Sequence, residues 1–289
     1  MKVAARGLSA GIVAASLAVF AADNVRDVNA VPNLRGEKGR EGYAAFLAAN
    51  PVRAFAVAER GASGWRSGQE SRAKAVGGAL YNCNKPARNI CRVYAIDGDV
   101  VYAMYADFER KSAKMVDALR GVTLAFAEYG DEEKDMRVAV ATGPRREVSD
   151  PADTPLLAEG VKTIKTPELV RMAGSAVKPI LVDVLEGDDH ETLPSAMWIK
   201  GAGVGLKDDA AHAEVGERLG YVLEGLAGGN KTAPLVFFCA DSRCWLALNA
   251  ALRARDLGYK NAMWYRGGVK AWKLARLETL AAVQYGQVQ

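Results

Sequence analysis

The chain has 289 residues, half of them apolar and a quarter charged, with a formal net charge of +4. That length and composition fill one large core or two modest ones, and exclude a low-complexity or disordered chain. Lys2 and Arg6 supply two of the excess positive charges, and the remainder is too diffuse for a nucleic-acid interface, so no nucleic-acid partner is expected.

The N-terminus combines a short basic start with an uncharged, mostly apolar run over 8–20 and the small residues Ala21 and Ala22. This is the order of a secretory leader, expected over 1–22, and it implies a periplasmic or otherwise exported protein with no membrane partner after leader removal. The run is short for a bilayer span of about 20 residues.

A small α+β domain is expected over 36–142. Helical patterns fall over 41–49 and 70–81, an apolar strand over 53–58, and two strands over 92–96 and 100–102 around the turn Asp97, Gly98, Asp99. Gly61, Gly64 and Gly68 interrupt the pattern around Trp65. Cys83 and Cys91 enclose the turn formers Asn84, Pro86 and Asn89, and in an oxidising compartment they form a structural disulfide. One longer helix is expected over 108–129, with Met115, Leu119, Val122 and Phe126 as its apolar stripe. The Pro- and Asp-rich stretch over 143–160 reads as a linker.

A second domain, expected over 161–280, alternates buried-strand runs (ILVDV at 180–184, LVFF at 235–238) with helical patterns over 208–226 and 245–257. Such alternation is the mark of a parallel sheet with helices on its faces. Ligands in these sheets gather at the carboxyl ends of strands, and Cys239 stands at one. The polar loop Ala240, Asp241, Ser242, Arg243, Cys244 then leads into a helix beginning at Trp245. Backbone N–H groups in such a loop, with the positive end of the following helix, favour a thiolate, and Arg243 adds to this field if it turns inward. No metal site is expected, because His190 and His212 lack ligand spacing and the cysteine pairs are too open.

TPELV at 166–170, ILVDV at 180–184, LPSA at 193–196, the Cys239 loop, and WYRGG at 264–268 with Trp272 follow one another in the order of landmarks in a rhodanese-like domain, which the segment over 161–280 resembles. The pair Cys244, Trp245 is similar to that of an exported CxxCW-motif subgroup associated with PQQ-dependent catabolism, although here four residues separate the cysteines. The resemblance implies a rhodanese-like parallel sheet flanked by helices, preceded by the small disulfide-containing α+β domain. It implies a sulfurtransferase that carries sulfane sulfur as a persulfide on Cys239, with no external cofactor, and takes a small sulfur donor and a thiol acceptor as partners. Rhodanese loops place arginine five residues after the nucleophile; Cys244 holds that position here, and Asp241 adds a negative charge. Cys244 is therefore expected to modulate or resolve the persulfide. Two alternatives stay open: a thiol-disulfide switch through Cys239 and Cys244 serving a redox partner protein, and a noncatalytic binding module. Asp183 is read as structural, Trp198, Trp264 and Trp272 as core, Trp245 and Tyr265 as residues shaping access, and Lys231 and Arg266 as solvated charges.

Overall fold

The computed structural model describes residues 25–86, 90–125, 128–145, 147, 151–187 and 189–288; the expected leader lies outside them. The N-terminal part runs α1 (Gly36–Ala48), β1 (Ala54–Ala58), β2 (Ser63–Arg66), α2 (Arg72–Asn84), β3 (Cys91–Ile96), β4 (Asp99–Val100) and α3 (Ala103–Ala118). Its four strands form an antiparallel sheet in the order β2-β1-β3-β4. Strand β1 is buried on both faces, and its two-residue period divides the core: Ala54, Ala56 and Ala58 pack with α2, while Phe55 and Val57 meet Tyr43 and Phe46 of α1. Alanines on one face let α2 lie close, and the aromatic side chains fill the wider gap on the other.

Strand β2 is absent from the sequence reading because Gly61, Gly64 and Gly68 and its short length hide it. Its Gly64 is obligatory in this packing: a Cβ there would lie 2.3 Å from the Cys83 amide nitrogen. Cys83 and Cys91 are disulfide-bonded, tying the end of α2 to the start of β3. Loop-closure entropy assigns this bond roughly 2–3 kcal/mol.

Helix α3 starts earlier and ends earlier than expected. Its buried face is Tyr105, Phe108, Ser112 and Val116, and Gly121 with a φ of 75° follows its end, so the expected helix over 108–129 is corrected to Ala103–Ala118. The apolar Val122 belongs to a chain segment packed on the second sheet, which is why its spacing imitated helix; Phe126 lies outside the described residues.

The second part contains β5 (Lys162–Ile164), α4 (Thr166–Ala173), β6 (Ile180–Asp183), β7 (Glu191–Thr192), β8 (Ala196–Lys200), α5 (Asp209–Ala227), β9 (Leu235–Phe238), α6 (Trp245–Asp256), β10 (Ala262–Tyr265), α7 (Gly268–Leu274), β11 (Leu280–Ala281) and β12 (Gln284–Gln287). Six of the strands make a wholly parallel sheet ordered β12-β8-β6-β9-β10-β5. Alternation again separates two cores. Val182, Phe237 and Trp264 face α5 and α6, and Leu181, Val236, Phe238 and Tyr265 face α4 and α7. Strand β12 lies beyond the expected end of this domain at 280 and joins the two parts. Tyr285 is buried in the core beneath α2, its hydroxyl donates to Glu109 at 3.1 Å, and the Tyr105 hydroxyl donates to the Gln284 carbonyl at 2.8 Å.

Candidate functional site around the Cys239 loop

Strand β9 is central in the six-stranded sheet and ends at Phe238, whose carbonyl accepts from the Val184 amide at 3.1 Å across the edge of β6. Cys239 therefore emerges at the carboxyl edge of the sheet, with Ala240, Asp241, Ser242 and Arg243 leading to Cys244, the N-cap residue of α6. The Asp241 carboxylate accepts from the Arg243 amide at 2.9 Å, and the Asp241 carbonyl accepts from the Cys244 amide at 3.2 Å. These bonds fold the loop back on itself. They bring the two cysteine Cα atoms to 6.3 Å, within disulfide range, and the sulfurs are bonded. Both cysteines are 1% exposed.

Two outside segments hold the loop. On one side the carbonyls of Cys239 and Ala240 accept from the Val269 and Lys270 amides at the start of α7, at 3.0 and 2.9 Å. Gly268 makes this approach possible. It has a φ of 58°, and a Cβ on it would sit 2.4 Å from the Cys239 carbonyl oxygen. On the other side lies the stretch read as linker. The Ala152 amide donates to the Arg243 carbonyl at 2.9 Å, the Thr154 hydroxyl donates to the Ser242 carbonyl, and Trp245 Nε1 donates to the Asp153 carbonyl at 2.9 Å. The Arg145 guanidinium stacks on the Trp245 ring, 4.9 Å from its centroid.

Of the expected anion-stabilising residues, Ala240, Asp241, Ser242 and Trp245 all stand in or beside this loop, but Arg243 does not turn inward. Its side chain is half exposed and pairs with Asp153 at 3.1 Å. A carboxylate beside the loop draws the guanidinium outward, and the Arg243 and Cys244 amides are taken up by Asp241, which leaves the start of α6 after Cys244 as the positive end nearest Cys239.

Other readings are corrected as well. Arg266 is not solvated. It is wholly buried, and its guanidinium donates to the carbonyls of Asp131 (3.3 Å), Glu132 (3.2 Å), Lys134 (2.8 Å) and Thr154 (3.2 Å), and to the Thr154 hydroxyl (3.0 Å). Burial pushes its pKa down, and the surrounding Asp131, Asp135, Glu128 and Asp153 oppose that. Tyr265 does not shape access either, being fully buried with its hydroxyl 2.7 Å from that of Thr166. The Thr166 amide and hydroxyl donate to Glu132, whose carboxyl burial drives upward in pKa.

Two residues given no catalytic part by the sequence, Asp183 and His190, lie on the same edge of the sheet. Asp183, fully buried at the end of β6, accepts from the Leu185 amide at 2.9 Å and from the Thr192 hydroxyl, and lies 2.8 Å from His190 Nε2. It therefore orders its own following loop. His190 and Ala240 share one open cleft of about 490 Å³, with Leu185, Val269, Lys270 and Leu274 in its wall. A histidine seven residues after a strand-end carboxylate, across a turn containing Gly187, was the available signal. Among the described residues no group of three or more His, Cys, Asp or Glu is arranged to hold a metal ion.

Residues 166–275 match the family model of the Rhodanese-like domain. No curated protein matches the chain.

Proposed function

We propose that this rhodanese-like domain protein is an exported sulfurtransferase that carries sulfane sulfur as a persulfide on Cys239, with Cys244 as its reversible lock. The observation that carries the reading is the position of Cys239: at the carboxyl edge of the central strand, in a loop closed against a helix N-terminus, inside the segment that matches the family. In the reduced protein, the Cys239 thiolate attacks the outer sulfur of a small donor. A new sulfur–sulfur bond forms, the donor's own bond breaks, and its leaving group keeps the electron pair. The persulfide anion is then stabilised by the positive start of α6. A thiol acceptor takes the sulfur in the second step, and Cys239 returns as thiolate.

The test is sulfur uptake. Reduced protein mixed with thiosulfate or an organic persulfide is expected to gain one sulfur atom on the peptide containing Cys239, and Cys239→Ser to gain none, as read by mass spectrometry. The Cys239–Cys244 disulfide favours one second reading, a thiol-disulfide switch serving a redox partner protein. Wild-type protein that takes up no sulfur but cycles reversibly between dithiol and disulfide would establish the switch instead, and protein that does neither is a binding module.

The basic start and the apolar run over 8–20 support export. Among the described residues no helix is long and apolar enough to cross a membrane. Intact mass of protein recovered from the exported fraction is expected to place the mature N-terminus just after Ala21 or Ala22; a retained Met1 there overturns the leader assignment.

A further inference from the structure

We propose that the cavity enclosed by α2, β2, α5 and β12 binds a small multivalent phosphate-type anion, at a site separate from the cysteine loop. The cavity measures about 270 Å³, a size for a small ligand, and its charged lining residues are all basic: Arg66 from β2, Lys74 from α2 and Arg218 from α5. Cations drawn together from three elements repel one another, and a bound anion relieves that. The Arg66 guanidinium has no hydrogen-bond or ion-pair partner among the described residues. Lys74 and Arg218 each hold a carboxylate four residues earlier in the chain, Glu70 at 2.5 Å and Glu214, but both carboxylates are exposed, and such surface pairs are weak and readily shared with a ligand.

Packing positions these groups in advance. Helix α2 carries adjacent glycines in its interior, Gly77 and Gly78, which weakens a helix unless the space is needed. Both are needed here. A Cβ on Gly78 would lie 2.7 Å from Arg66 Cγ, and one on Gly77 would lie 2.5 Å from Gln287 Oε1. The stem of Arg66, from the antiparallel sheet, and the amide of Gln287, from the parallel sheet, thus rest side by side on α2. Gln287 Oε1 accepts from the Gln284 amide at 3.2 Å, which leaves the Gln287 NH2 group as a donor. The Arg218 guanidinium is held over the ring of Tyr81, 4.7 Å from its centroid, and Tyr81 lines the same cavity. Gln287 also stands at the carboxyl end of β12, the side on which parallel sheets gather ligands. Two forked guanidinium groups with an ammonium and an amide match the several oxygens of a phosphate, and their summed charge favours a multivalent anion over acetate or chloride.

Titration calorimetry of the full-length protein with diphosphate, at constant ionic strength, is expected to show saturable binding of one anion per chain. Arg66→Gln is expected to weaken it about 10-fold or more, the loss of one charge-assisted contact. Gly78→Ala keeps every charge and favours helix, yet its methyl group displaces Arg66, and it is expected to weaken binding as well. That variant separates a shaped site from diffuse attraction. Tighter binding of a small phosphate monoester than of orthophosphate identifies an organic phosphate as the occupant, the reverse order identifies the free anion, and either supports the site. Citrate binding more tightly than diphosphate overturns the phosphate assignment. Absence of saturation at millimolar diphosphate, or an affinity unchanged in either variant, overturns the site, and sulfur uptake on Cys239 is untouched by that failure.

Discussion

Arg266→Leu is expected to destabilise the protein by about 3–5 kcal/mol in urea unfolding. The leucine fills much of the space but donates nothing, so the carbonyls of Asp131, Glu132, Lys134 and Thr154 lose their donor where water does not reach freely. Each carbonyl left unpaired costs about 1–3 kcal/mol, and relaxation of the loops toward solvent recovers part of the sum. Arg266→Lys keeps the charge but lacks the planar fork, and is expected to fall between wild type and leucine. The effect reaches the site because Thr154 receives Arg266 on one side and donates to Ser242 of the cysteine loop on the other. Loss of Arg266 should therefore also raise hydrogen exchange in the loop amides. A leucine variant within about 1 kcal/mol of wild type would show that the carbonyls find water instead.

The same residue marks the limit of what the sequence discloses. The runs at 180–184 and 235–238 are continuous and apolar because both sheet faces are covered, so β6 and β9 were legible, and so was the placement of Cys239 at the end of one of them. Arg266 follows β10 directly, and a charged residue after a strand is ordinarily solvated. What buries it is a set of carbonyls more than 100 residues earlier in the chain, and no local pattern encodes that meeting. The stretch over 143–160 hides contacts for a related reason. Its Pro and Asp residues forbid regular structure, which reads as a linker, yet Ala152, Asp153 and Thr154 bond to the cysteine loop through backbone and hydroxyl groups that leave no periodicity. His190 was discounted as a metal ligand, and its pairing with Asp183 requires the turn after β6 to fold back. Cys83 and Cys91 were legible because the turn formers between them already imply the close approach.

Cys244→Ser is expected to release sulfur uptake from its dependence on reductant. In the wild-type protein Cys239 is bonded to Cys244, and a disulfide sulfur has no lone thiolate with which to attack a donor. Both cysteines are 1% exposed, so reduction requires either a partner that engages the loop or a transient opening of it. Thiosulfate added to air-oxidised wild-type protein should thus give no persulfide, whereas prior treatment with a dithiol should give nearly full occupancy. Serine at 244 keeps a small polar side chain at the N-cap of α6, a position serine favours, so the loop and helix are retained. The variant should load without a dithiol, and its persulfide should last longer because no neighbouring thiol can attack it. Paired mass spectra of wild type and variant, with and without dithiol, read all four cases. Equal loading of oxidised and reduced wild-type protein would mean that the lock does not govern access. A variant that still requires dithiol would place the controlling oxidation on Cys239 itself, as a sulfenic acid or a bond to an external thiol.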